Sequence, residues 1–77
     1  MRLYTIAAML PMHISRAKFV DASQILEEIE EIIDELGVGA DPDIAFCIST
    51  AGELLEKEKG QEDLHRKVLD LLAIVDP

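Results

Sequence analysis

The stretch that decides the fold runs from residue 21 to residue 36 and reads DASQILEEIEEIIDEL. Its apolar residues recur every three or four positions, and this spacing places side chains on one face of an α-helix. They are Ile25, Leu26, Ile29, Ile32, Ile33 and Leu36. Acidic residues fill the opposite face. The stretch therefore predicts an amphipathic helix that must bury its apolar face against other elements.

Both ends of this helix carry boundary signals. Asp21 is the expected N-cap, with Gln24 three residues later as in a capping box. Gly37 follows Leu36 and predicts an ending in the left-handed conformation. We expect a helix from Asp21 to Leu36.

A second helix is predicted after residue 40. Asp41 stands before Pro42, which combines a capping carboxylate with a proline at the first helical position. Gly60 is the expected end, and Gly52 inside the helix predicts a close crossing with a neighbouring helix. The apolar positions recur at helical spacing and are Ile44, Cys47, Ile48, Ala51, Leu54 and Leu55.

The last predicted helix covers residues 61–75. Leu64, Val68, Leu71, Leu72 and Val75 form its inner face. Leu69 and Ile74 widen that face beyond one stripe. Small domains without disulfides or metals often supplement their core by pairing. We therefore expect a homodimer through residues 64–75, with Leu69 and Ile74 at its interface.

The N-terminal twenty residues are less regular. Leu3, Ile6, Ala7 and Leu10 fit a short helix that ends at Pro11. Thr5 and the alternation of Met12 and Ile14 also suit an extended chain, and we favour the helix. This run lacks a small-residue cleavage site and is shorter than the roughly 20 residues that span a bilayer. We interpret it as part of the folded domain and expect a cytoplasmic protein with no membrane association.

Length and composition limit the architecture. The chain has 77 residues, enough for one domain. Its single cysteine excludes an intramolecular disulfide framework. The predicted fold is all-α: one compact bundle of three main helices plus a short N-terminal helix. With 16 acidic against 7 basic residues, the net charge of −9 disfavours direct binding to nucleic acid.

The sequence offers little for catalysis. Cys47 falls on the apolar face of its helix, where a free cysteine packs as a small hydrophobic residue. His13, His65 and Cys47 lack the close spacing of zinc-ligand pairs, and no phosphate-binding or dinucleotide-binding motif is present. We expect no enzyme activity, no metal and no cofactor.

One family has a similar composition. Acyl carrier proteins are also acidic helical bundles of about this length, and they carry their prosthetic arm on a serine in an Asp-Ser-Leu motif at a helix start. The segment that resembles it is Asp21-Ala22-Ser23-Gln24-Ile25. It has one inserted residue, and Gln24 stands where an apolar residue belongs. The resemblance is therefore one of composition.

Charge is distributed unevenly along the chain. Residues 1–20 contain no acid, and residues 19–56 contain no base. Like-charge pairs four residues apart, such as Glu27 with Glu31, each cost roughly 0.2–0.5 kcal/mol. The acidic face is a solvated face, a docking surface for a basic partner, or a mimic of nucleic-acid phosphates. The candidate binding residues are Glu27, Glu28, Glu30, Glu31, Asp34, Glu35, Asp41, Asp43 and Glu53.

Phe46 is a further candidate. At about 100° per residue it falls opposite Ile44 and Ile48 on its helix, among polar neighbours. We expect the N-terminal segment to cover the ring. The alternative is that Phe46 stays exposed as an anchor for a partner.

The predicted function is a non-enzymatic, acidic protein–protein interaction module, an inhibitor or adaptor that occupies a basic surface of a partner protein. One alternative is a nucleic-acid mimic that blocks a nucleic-acid-binding protein, and another is an acyl-carrier-like protein. Mimicry predicts one continuous band of carboxylates from residues 21–36 and from Asp41, Asp43, Glu53 and Glu56. A docking site predicts carboxylates around exposed apolar side chains.

Overall fold

The computed structural model describes residues 2–37 and 41–76. They form four α-helices and, in these two ranges, no strand: α1 (Arg2–Ser15), α2 (Phe19–Leu36), α3 (Pro42–Glu56) and α4 (Glu62–Val75). The predicted all-α class and the order of the helices are confirmed. The N-terminal helix is longer than predicted, because α1 has 14 residues, the same number as α4.

Pro11 lies inside α1 instead of ending it. A proline inside a helix removes one backbone hydrogen bond and crowds the carbonyl four residues before it. The helix continues because Leu10 and Ile14, on either side of the proline, are both buried in the core. It ends at Ser15. The chain then turns through Ala17, whose φ is 59°, and the Lys18 N–H donates to the His13 carbonyl oxygen at 2.8 Å.

The start of α2 corrects the predicted capping box. The helix begins at Phe19, so its N-cap is Lys18, whose side chain makes no capping hydrogen bond, and Asp21 lies inside the first turn. The earlier start follows from packing, because Phe19 is half-buried against the core. The predicted end is confirmed: Gly37 has a φ of 64°, and its N–H donates to the Ile33 carbonyl oxygen at 2.9 Å.

The start of α3 is as predicted. The Asp41 Oδ1 atom accepts hydrogen bonds from the backbone N–H groups of Asp43 at 3.0 Å and Ile44 at 3.3 Å. Pro42 is the first helical residue. The helix ends at Glu56, earlier than the predicted stop at Gly60. Gly60 has a φ of +88° and lies in the turn before α4.

The four helices pack in a ring. α1 packs against both α2 and α3, α3 packs against α4, and α2 meets α4 over the smallest of the four interfaces. Within the described ranges, α2 and α3 occupy opposite corners of the ring and do not pack against each other. Apolar side chains from all four helices form one core. Its largest fully buried members are Leu3, Leu10, Ile14, Leu26, Ile29, Ile44, Ile48, Leu55, Val68, Leu71 and Val75.

Gly52 lies where α3 packs against α4, as the sequence predicts. A Cβ atom at this position would lie 3.6 Å from Val68 Cγ1 and 3.7 Å from Leu69 Cδ2. These are ordinary van der Waals distances. The crossing therefore leaves room for a methyl group and does not depend on glycine.

Candidate functional site

The small interface between α2 and α4 leaves an open groove with a volume of about 820 Å³. The groove extends along α2 from Glu27 to Gly37. Its α4 side is formed by one turn near the C-terminal end of the helix. The lining residues are Glu27, Glu30, Glu31, Ile33, Asp34, Gly37, Asp70, Leu71 and Ile74.

The base of the groove is apolar. Ile33 and Leu71 are buried core residues whose side chains reach the groove. Ile74 stands beside them and is 54% exposed. Isolated exposed apolar residues are common on protein surfaces and need no explanation. Ile74 differs from them because it adjoins the core residues Ile33 and Leu71, so the three form one apolar surface.

The rim of the groove is acidic. On α2, exposed carboxylates at intervals of three and four residues form a stripe beside the buried face: Glu27, Glu30, Glu31 and Asp34. On α4, Asp70 lies four residues before Ile74 and is also exposed. The groove therefore has carboxylates on both sides of an apolar base, and all of its charged lining residues are acidic.

This arrangement creates a local negative field. Glu27 with Glu31 and Glu30 with Asp34 are like-charge pairs on the same flank of α2, and each pair destabilises the helix slightly. A cleft lined by charges of one sign, with apolar walls, concentrates the field within it. The groove is thus suited to a ligand that is both cationic and partly apolar.

The other predicted acidic residues lie outside this groove. Glu28 and Glu35 belong to α2 but are not among its lining residues. Asp41 caps α3 through its carboxylate, which gives it a structural role. Asp43 and Glu53 are exposed on α3, at the opposite corner of the ring from α2.

Asp70 is the lining carboxylate that sequence reasoning missed. Asp70 and Ile74 are one turn apart on α4. A helical projection shows that they share a flank. The projection does not show which helix lies opposite that flank. Only tertiary packing places the flank of Asp70 and Ile74 beside the acidic stripe of α2.

The prediction that the N-terminal segment covers Phe46 is wrong. The ring is 74% exposed on the outer face of α3. α1 packs against α3, but the buried residues of α3, such as Ile44, Ile48 and Leu55, lie on the opposite face. Phe46 is therefore available to a partner. The Thr50 hydroxyl donates a hydrogen bond to the backbone carbonyl oxygen of Phe46 at 2.9 Å.

The two predicted dimer-interface residues remain exposed on α4. Leu69 is 46% exposed, and its side chain lies toward α3 near Gly52. Ile74 lies toward α2 in the groove. The two positions are about 140° apart around the helix axis and flank the buried stripe on opposite sides. Self-association through α4 stays a prediction.

The candidate nucleophile Cys47 and the candidate carrier residue Ser23 both lie within helices, on α3 and α2. Cys47 is buried, as predicted, and its burial, followed by the negative charge of Asp43, raises the pKa of its thiol. A thiol with a raised pKa is a poor nucleophile near neutral pH. Ser23 lies in the second turn of α2, away from the helix start where a carrier serine belongs. In ranges 2–37 and 41–76, no three His, Cys, Asp or Glu side chains are grouped to hold a metal ion.

Comparison of the chain with protein-family models, with curated proteins and with solved structures gave no match. The described helices include none that is long and apolar enough to cross a bilayer. The class that the structure defines is an all-α domain of four packed helices with an acidic groove between α2 and α4.

Proposed function

We propose that this protein is a non-enzymatic interaction module that docks onto a basic surface of a partner protein through the groove between α2 and α4. The observation that carries the proposal is the placement of carboxylates on both sides of the apolar base formed by Ile33, Leu71 and Ile74. Carboxylates around an exposed apolar side chain are the pattern expected of a protein docking site.

The two kinds of residue have different roles in such binding. The carboxylates attract a basic partner over a distance of about 8–10 Å at moderate salt and raise the association rate. Ile74 and the apolar base bury surface in the complex and slow dissociation. The like-charge repulsion along α2 is then relieved when the partner binds.

The alternative of nucleic-acid mimicry requires one band of acidic residues that joins α2 to α3. α2 and α3 lie at opposite corners of the ring, so the acids of α2 adjoin Asp70 of α4 and not the acids of α3. This arrangement favours protein docking over mimicry. The acyl-carrier alternative depends on Ser23, whose place in the second turn of α2 does not support it.

Phe46 and the nearby Glu53 offer a second contact surface on α3. An inhibitor needs one docking surface, whereas an adaptor needs two. The groove and Phe46 lie on different sides of the molecule and could serve as those two surfaces. We propose Phe46 as a partner anchor of the adaptor form. In that form, Phe46→Ala removes one partner and leaves groove-dependent binding unchanged.

We also propose that the protein is cytoplasmic. A single free, buried cysteine is compatible with that reducing compartment. The homodimer through residues 64–75 is a separate prediction. Sedimentation of the wild type and of Leu69→Glu at micromolar concentration tests it.

The decisive experiment compares three tagged baits in a lysate of the native host. The first is the wild type. The second reverses Glu27, Glu30, Glu31 and Asp34 to Lys. The third is a matched control that reverses Glu56, Glu58, Glu62 and Asp63 to Lys, which changes the net charge equally but leaves both the groove and the surface around Phe46 intact. Quantitative mass spectrometry identifies the captured proteins, and circular dichroism verifies the helix content of each bait.

We expect a basic partner that the wild type and the control capture and the groove variant loses. With the purified partner, the loss should fall mainly on the association rate and on its salt dependence. Equal capture by the two reversed baits would contradict the proposal and leave the acidic face as a solubility device.

A further inference from the structure

We infer that the groove between α2 and α4 receives a single basic, amphipathic α-helix of the partner, with its apolar face against Ile33, Leu71 and Ile74. This inference rests on the proposed function. It adds the secondary structure of the partner segment and the pattern of its side chains.

The described elements and the lining of the groove argue against three other common modes of peptide recognition. Addition of a peptide strand requires an exposed sheet edge, and the described residues form no strand. Recognition of a proline-rich peptide uses grooves lined by aromatic rings, and the lining residues include no aromatic side chain. Phosphopeptides require arginine clusters, whereas the charges here are all acidic. Of these four modes, docking of a helix into an apolar groove is the one that the lining residues fit.

The dimensions of the groove fit a short helix. Its lining on the α2 side extends over eleven residues, or ten residue steps, from Glu27 to Gly37. At 1.5 Å per residue this is a length of about 15 Å. A partner helix of about three turns matches that length and presents apolar side chains at positions i, i+3 or i+4, and i+7.

The rim specifies the charges of the partner helix. Four carboxylates lie on the α2 side, and Asp70 lies on the α4 side. A complementary helix therefore carries Lys or Arg on both sides of its apolar stripe and more of them on the side that faces α2. This asymmetry fixes which flank of the bound helix faces α2.

A second copy of this chain is a poor occupant of the groove. Each copy has a net charge of −9, with 16 acidic residues against 7 basic ones, so a second copy brings more repulsion than attraction to the acidic rim. A small polycation satisfies the carboxylates but leaves the apolar base uncovered. The amphipathic helix satisfies both parts of the groove.

The test uses the full-length ¹⁵N-labelled chain and two synthetic 14-residue peptides composed of the same Leu, Lys and Ala residues. In the first peptide, Leu recurs at helical spacing so that one face is apolar. In the second, the order is scrambled so that no apolar face forms. Chemical-shift changes locate binding, circular dichroism measures the helix content of the peptides, and spermine serves as the small polycation.

Two protein variants form a matched pair. Ile74→Ser removes the exposed apolar side chain of the groove without a change of charge. Leu69→Ser makes the same kind of change at a similarly exposed position on the other flank of α4. Because both side chains are about half exposed, both variants should fold, and thermal melts verify this.

We expect the amphipathic peptide to become helical on binding and to shift the amide signals of Ile33, Leu71 and Ile74. The scrambled peptide and Ile74→Ser should each weaken binding at least about tenfold, while Leu69→Ser leaves it unchanged. Equal binding of both peptides, or displacement of the amphipathic peptide by spermine at equal charge concentration, would overturn the inference. If the host partner is captured through the groove but Ile74→Ser does not weaken its binding, this inference fails while the proposed function stands.

Discussion

The interface between α1 and α3 and the groove between α2 and α4 lie in the same ring of helices but differ in their residues. From Leu3 to Ser15, α1 contains no acidic or basic residue other than His13, and its apolar side chains pack closely against α3. Several of the buried residues on the two helices are small, including Ala7, Cys47 and Ala51. Across the ring, α2 presents a flank of glutamates to α4, and the two helices meet over a small area.

The difference shows how charge determines the closure of a small bundle. Short apolar side chains allow two helices to approach and exclude water. Long carboxylate side chains must keep their charged ends hydrated, since a buried unpaired charge is very unfavourable. The acidic flank of α2 thus keeps one side of the ring open. We therefore expect stability to come mainly from the three closed interfaces, α1–α2, α1–α3 and α3–α4, and the proposed binding to use the α2–α4 side.

The largest expected effect comes from a change in the closed side. Ile48 of α3 is fully buried, so Ile48→Ala should destabilise the fold by about 2–5 kcal/mol. The matched change in the open side is Ile74→Ala, which should cost no more than about 1 kcal/mol because this side chain is half exposed. Urea denaturation of both variants measures the difference. Similar losses at the two positions would contradict the division of stability between them.

The next effect concerns helix caps. Asp41→Ala removes two hydrogen bonds to the start of α3 and should cost about 0.5–2 kcal/mol. Asp21→Ala changes a residue that lies inside the first turn of α2, so we expect a loss of less than about 0.5 kcal/mol from the helix dipole. Thermal melts of the pair check this order. A larger loss for Asp21→Ala than for Asp41→Ala would indicate that Asp21 caps α2, as the sequence predicts.

Two glycines should respond in opposite directions. Gly37→Ala places a side chain at a φ of 64° and should destabilise the fold by about 1 kcal/mol. Gly52→Ala adds a methyl group where the contacts are ordinary, so the gain in helix propensity should stabilise the fold by up to about 1 kcal/mol. Chemical denaturation gives both values. A loss at Gly52 would mean that α3 and α4 approach more closely than these distances indicate.

The smallest effect concerns the rim of the groove. Glu27→Gln and Glu30→Gln each relieve a like-charge pair and should raise the unfolding free energy by roughly 0.2–0.5 kcal/mol. The gain should shrink in 0.5 M salt, because salt screens exposed charges. Glu62→Gln is the control, since Glu62 lies four residues before Arg66 and gains no such relief. No stabilisation in low salt would mean that the acidic flank carries no repulsive cost.

Sequence reasoning was most accurate where the signals are local. The start of α3 at Asp41–Pro42 and the end of α2 at Gly37 depend on hydrogen bonds and backbone angles within a few residues, and both are confirmed. The start of α2 and the continuation of α1 past Pro11 were missed. In both cases the burial of apolar neighbours outweighed a local preference, because packing contributes more to helix stability than a cap or a single hydrogen bond.

The sequence by itself determined that the chain forms amphipathic helices, that α2 bears an acidic flank, and that Cys47 faces the core, because helical periodicity places each side chain on a known face. Tertiary structure alone decided which faces meet. It left Phe46 exposed by packing α1 on the other side of α3, and it brought Asp70 and Ile74 to the acidic flank of α2. Periodicity specifies direction around one helix axis, whereas a groove depends on the relative placement of two helices, which follows from the packing of the whole core.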